Sequence, residues 1–202
     1  MGPGGGGTRI ARVGNLKSVS NYSVDAFSMG FFPGAIEIPA NLQVEILAHL
    51  RANLPEEACG LLGGRMLKDA EADTVVARTE IMLPIENALH SPVRFLMDPA
   101  AQLKSFYLLE ERGLELVGIF HSHPTGPARP SPTDVAEFAY PGTLTLIYTP
   151  AAAAQGENSL TWSLRAFQIF TRTTSAGTSA IDNPTSRNLS GDKIVEVPIH
   201  IR

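Results

Sequence analysis

The spacing of apolar residues changes period several times along the chain, and each change marks an element. Ile36 and Ile38 flank polar Glu37, the alternation of a short strand. Leu42, Ile46, Leu47, Leu50 and Leu54 then recur at helical spacing until Pro55 stops the run. Ala58 to Leu62 is a compact apolar run before Gly63-Gly64, read as a buried strand and a turn. Thr74 to Leu83 is rich in β-branched residues and predicts another strand. Asp98 is placed to cap a second helix, with Pro99 at its first position and Gly113 just past its end. Leu116 to Phe120 reads as a buried strand running straight into His121-Ser122-His123-Pro124. Ser131-Pro132-Thr133-Asp134 starts a short third helix, and Thr143–Tyr148, Leu160–Phe170 and Ile194–Ile201 are further strands. Strands interleaved with three helices predict an α/β or α+β sheet with helices packed on it.

The flanks are different. Gly2-Pro3-Gly4-Gly5-Gly6-Gly7 cannot bury anything and costs much entropy to order, so residues 1–34 are expected to be a flexible leader. A strand is expected near Phe31–Phe32, and Ser/Thr/Asn/Gly-rich residues 171–192 read either as a mobile functional loop or, in preference, as plain disorder. Residues 35–202 form the expected single domain. The chain is 44% hydrophobic and 18% charged, which excludes a wholly disordered protein. Its net charge of −4 argues against nucleic acid or an anionic membrane surface as a partner. The lone cysteine, Cys59, excludes an internal disulfide framework and zinc sites of the Cys₂ or Cys₄ kind. With no eighteen-residue apolar run and no apolar signal stretch near the start, a reducing, cytoplasmic setting is expected.

A metal must then be sought among histidines and carboxylates. His121 and His123 are two apart at a strand end, so both imidazoles point the same way. Asp134 follows a segment stiffened by Pro124, Pro127 and Pro130, which lowers the entropy lost in holding it near them. Two neutral imidazoles and one carboxylate suit Zn²⁺ and leave a fourth position open, the mark of a catalytic site. Plainer readings exist: an exposed histidine pair, and a helix start with Ser131 as N-cap, Pro132 at N1 and Asp134 at N3. A cap and a ligand are compatible at one residue. Cys59, inside an apolar strand without basic neighbours, reads as a buried inert thiol rather than a nucleophile. His49, His90 and His200 lack ligand spacing and read as ordinary histidines.

Taken together, Glu57-Ala58-Cys59-Gly60, His121-Ser122-His123-Pro124 and Pro130-Ser131-Pro132-Thr133-Asp134 resemble the JAMM (MPN-plus) zinc metallopeptidase family. That family pattern is a glutamate before a glycine-containing strand, then H-S-H-P, then a serine three residues ahead of an aspartate. Ser91-Pro92-Val93-Arg94-Phe95 and Asp98-Pro99 also look like prokaryotic members, and the resemblance runs from about Ile36 to Phe170, with Val195 to Ile201 fitting too. It implies a cytidine-deaminase-like, MPN-type α/β fold, a central mixed sheet flanked by helices in one domain. It also implies Zn²⁺ held by His121, His123 and Asp134, with Glu57, chosen over Glu56 by the family register, carrying the proton. Such acid–base help is worth about 10²–10⁴ in rate. Ser131 would donate a hydrogen bond to the oxyanion. The implied activity is an isopeptidase releasing ubiquitin or a ubiquitin-like protein from its conjugates, alone or within a larger proteolytic assembly. Alternatives are trimming the C-terminus of a ubiquitin-like sulfur carrier, a non-catalytic MPN scaffold, and a RadC-like protein tied to DNA repair, against which the acidic balance weighs.

Overall fold

The computed structural model describes residues 32–71, 73–151, 161–170 and 193–202; residues 1–31 of the expected leader and the whole of the 171–192 loop lie outside them. The elements are β1 (Pro33–Ile38), α1 (Ala40–Ala52), β2 (Cys59–Asp69), β3 (Thr74–Ile85), α2 (Pro99–Glu111), β4 (Glu115–Ser122), α3 (Pro132–Glu137), β5 (Leu144–Ala151), β6 (Thr161–Phe170), β7 (Lys193–Val197) and β8 (Ile199–Ile201). The strands form one sheet in the order β7-β6-β5-β4-β2-β3-β1-β8. It is mixed: β1–β3, β1–β8 and β4–β5 are parallel, and the other pairs antiparallel. Among the described residues, no helix is long and apolar enough to cross a membrane.

Successive strand residues face opposite sides, so each strand feeds two cores. Leu62 and Phe120 join Leu42, Ile46 and Leu50 of α1 on one side. Leu61 and Ile119 join Phe106 and Leu109 of α2 on the other. Helix α2 begins as its sequence predicts: the Asp98 carboxylate accepts from the Ala101 N–H at 2.7 Å, and Pro99 occupies the first turn. It ends before Gly113, whose φ of +62° favours a residue without Cβ.

Three local expectations need correction. Gly63-Gly64 is not a turn; β2 runs through it to Asp69 with a shift of register, a bulge against β3 and β4. A Cβ on Gly64 would run into the Arg78 carbonyl, so glycine there serves close strand approach. Of the strand expected near Phe31–Phe32, Phe31 lies outside the described residues and Phe32 precedes β1, which starts at Pro33 inside the segment read as leader. The expected Ile194–Ile201 strand is two, because Pro198 has no N–H to continue a ladder. β7 pairs with β6 and β8 with β1, so the two ends of the strand order are brought together at Pro198.

Candidate active site

The β2–β4 pairing creates the site. Cys59 lies opposite His121, and Ala58 and Ser122 continue the register by two bonds. The Ser122 N–H donates to the Ala58 carbonyl at 2.9 Å, and the Ala58 N–H donates to Ser122 Oγ at 2.9 Å. One step further, Glu57 falls beside His123. Alternation then sets Glu57, Cys59, His121 and His123 on one face and Ala58 and Ser122 on the other. The serine between the two histidines thus ties their strand to the segment bearing Glu57, a role the sequence reading left out.

His121 and His123 are buried, and their Nε2 atoms lie 3.0 Å apart. Asp134 comes to them from α3, with Oδ1 3.6 Å from His121 Nε2 and Oδ2 3.5 Å from His123 Nε2. The Ser131 and Asp134 side chains form a reciprocal capping box. Ser131 Oγ accepts from the Asp134 N–H at 3.2 Å, and Asp134 Oδ2 accepts from the Ser131 N–H at 2.6 Å. The cap and ligand readings of this turn therefore coexist: the bonds that start the helix also aim the carboxylate.

This donor set fits a tetrahedral ion. Ligand atoms about 2.0–2.1 Å from Zn²⁺ lie about 3.3–3.4 Å from one another. The Nε2 atoms are 3.0 Å apart, the Asp134 carboxylate turns one oxygen toward each imidazole, and His121, His123 and Asp134 are the cluster among the described residues able to hold a metal. His123 Nδ1 donates to the Pro127 carbonyl at 2.8 Å, which leaves its Nε2 lone pair free to ligate. Among the described residues nothing bonds His121 Nδ1. The Phe95 ring, stacked 4.6 Å from the His121 ring, fixes that imidazole's plane instead.

Electrostatics separates the groups. Burial pushes the Asp134 carboxyl up, but hydrogen bonds from His121 and His123 outweigh it and hold the group far below the usual carboxylate range. Burial lowers His121, against the pull of Asp134. In His123 burial acts the same way but is outweighed by Asp134 and the Pro127 carbonyl, so its pKa rises. Burial raises Glu57 to about 7, with His123 opposing and Asp134 assisting. A carboxyl titrating near neutrality suits proton transfer in both directions.

The neighbouring acids, alike in sequence, differ here. Glu57 is 5% exposed, whereas Glu56 is half-buried with an oxygen 3.2 Å from His90 Nδ1. Cys59 is buried and donates its S–H to the Ile85 carbonyl, and burial with the nearby Glu57 charge pushes the thiol up to about 12. It is no nucleophile. His49 is satisfied by the Cys59 carbonyl at 3.1 Å from its Nε2. Asn87, buried in the loop before α2, donates to the Glu57 carbonyl at 3.0 Å. A loop asparagine has no periodicity to mark it, and no signal in one sequence could have found it.

The family of prokaryotic homologs of the JAB domain matches residues 39–165. A probable TtuB-protein conjugate cleaving protease of Thermus thermophilus is 38% identical over 109 residues, 54% of this chain and 66% of that protein. A desampylase of Haloferax volcanii is 32% identical over 120 residues, 57% of this chain and 81% of that protein. A CysO-cysteine peptidase of Mycobacterium tuberculosis is 38% identical over 98 residues, 48% of this chain and 62% of that protein. The first and third of these relatives thus have a third or more of their length unmatched. The solution structure of a protein from Desulfitobacterium hafniense superposes with a TM-score of 0.57 at 30% identity, covering 83% of this chain and 94% of that one.

Proposed function

The chain belongs to the family of prokaryotic homologs of the JAB domain, a JAMM/MPN-plus family, and we propose that it is a zinc-dependent isopeptidase. Its substrates are proteins conjugated to ubiquitin or a ubiquitin-like modifier. The observation that carries this reading is the convergence of His121, His123 and Asp134 on the face that also bears buried Glu57. A non-catalytic scaffold has no need to keep four such groups together. The relatives that cleave conjugates support the choice of substrate.

His121, His123 and Asp134 would hold the ion. Zn²⁺ bound there supplies a Lewis acid that lowers the pKa of water to about 7. Glu57 takes a proton from the attacking water at a carboxylate oxygen and returns it to the departing lysine amine. Ser131, whose Oγ accepts the Asp134 N–H, keeps its hydroxyl proton for the carbonyl oxygen as negative charge develops there. Such a donor is worth about 10²–10³ in rate.

The test is cleavage of lysine-linked conjugates with chelator, and again after Zn²⁺ is restored. Loss and recovery are expected; full activity in chelator would defeat the reading. The likeness to a CysO-cysteine peptidase favours a second reading with the same chemistry, trimming of a ubiquitin-like sulfur carrier. Mass spectrometry on a carrier extended past its Gly-Gly, beside a lysine-linked conjugate, separates the two.

A further inference from the structure

Residues 86–97 lie between β3 and α2 and contain one isolated bridge, Asn87 to Met97, yet this loop touches His121, α3 and the Glu57 backbone. Phe95 stacks on His121, and Arg94 reaches Glu137 of α3 at 3.1 Å. The Glu57 N–H donates to the Ser91 carbonyl at 2.8 Å. Asn87, 4% exposed, organises the whole. Its Nδ2 donates to the carbonyls of Glu57 and Arg94, each at 3.0 Å, and Ser91's lies 3.4 Å away. Its Oδ1 accepts from the N–H groups of Leu89 at 3.1 Å and Leu96 at 3.0 Å. An amide has two donor hydrogens and two acceptor lone pairs, and all four are in use.

We propose that Asn87 is the positioning residue for Glu57, clamping the loop onto its backbone so that the carboxylate stays aimed at the metal ligands. The proposal rests on the reading of Glu57 as the proton carrier. Glu57 precedes β2, so no ladder bond holds it. Both of its backbone polar groups end on the loop instead, while its neighbour Ala58 is held separately by Ser122. Without the loop the carboxylate could swing, and a displacement of about 1 Å can cost about 100-fold in rate. Only an amide of this length serves. Aspartate would keep both acceptors but turn an oxygen on the Glu57 and Arg94 carbonyls.

The experiment is a double-mutant cycle of Asn87→Asp with Glu57→Gln on the zinc-loaded protein, alongside amide hydrogen exchange. Asn87→Asp is expected to lower kcat about 10- to 100-fold with KM unchanged. In the Glu57→Gln background it should cost no more than about twofold. The Glu57 amide should exchange faster while that of Ala58 does not. Losses that multiply, or a Glu57 amide left as protected as before, overturn the proposal. Should the variant fail to fold, the unaltered protein decides. Its Glu57, Leu89 and Leu96 amides should share one opening, and intrinsic-corrected rates more than about tenfold apart overturn the clamp. If the unaltered protein cleaves no conjugate, the isopeptidase reading fails and exchange alone judges the clamp.

Discussion

The two faces of the β2–β4 pair are drawn from alternate residues of the same strands and hold opposite kinds of side chain. On the α1 side, Ala58, Leu62 and Phe120 pack with Tyr148 and the helix into a continuous apolar core. On the α2 side, Leu61 and Ile119 are apolar, but toward the strand end the face turns to His121, His123 and Glu57. Both faces bury apolar side chains, but the candidate site gathers at one end of the α2 side. The period of two lets one pair of strands do both, because a change on one face leaves the other's side chains in place.

That division can be broken at several points. Glu57→Gln should lower kcat on a lysine-linked conjugate by about 10²–10⁴ while leaving the urea midpoint and zinc content as they are. A variant as fast as the original protein would remove Glu57 from the chemistry. Phe120→Ala should do the reverse. Truncating this fully buried ring should cost about 3–5 kcal/mol in urea unfolding, while the folded fraction keeps its kcat. A large fall in kcat at unchanged stability would mean that the faces are not separable.

Ser122→Ala probes the residue that belongs to both. It leaves the buried Ala58 N–H without its acceptor, at a cost of about 1–3 kcal/mol. Because the same bond ties the Glu57 segment to the histidines, kcat should fall with stability; a stability loss alone would assign Ser122 to packing. A further effect lies in pH. Burial raises Glu57 from its ordinary 4.5 to about 7, so folding without metal favours the protonated form. Its contribution to stability is therefore fully present below about 4.5 and is lost as pH rises through about 7. Subtracting the Glu57→Gln profile from that of the original protein, both in chelator, should give a difference that declines across this window. One that climbs with pH would reverse the assignment. Least of all should follow from thiol reagents: with Cys59 pushed up to about 12, they should neither label the folded protein nor slow it. Rapid labelling with inactivation would revive a cysteine mechanism.

Local features were legible in the sequence, and paired ones were not. The cap of α2 and the His121–His123 spacing depend on residues a few positions apart, and both emerge directly from the pattern. A sheet with helices packed on it follows from alternating elements, and its mixed character came from the family likeness. Glu57 could be assigned only through the family register, since its place beside His123 depends on strands more than sixty residues apart. Gly63-Gly64 looks like a turn until β3 lies against it, because a bulge is defined by its partner. Asn87 escaped for the same reason: four of its partners are backbone groups that meet only in the folded loop.

The split at Pro198 carries a consequence beyond pairing. Strands β7 and β8 are the first and last in the order of the sheet, and both come from residues 193–202. Exposed margins invite other chains to add strands, a route to aggregation. Here one is only three residues long, and the other carries Lys193 and Glu196, the latter in an ion pair with Arg165. Because only Pro198 separates them, the sheet curls until its first and last strands meet, with the Ile36 N–H on the Pro198 carbonyl at 3.0 Å. Loss of this one segment would bare β6 and β1 side by side, turning two finished borders into two adhesive ones.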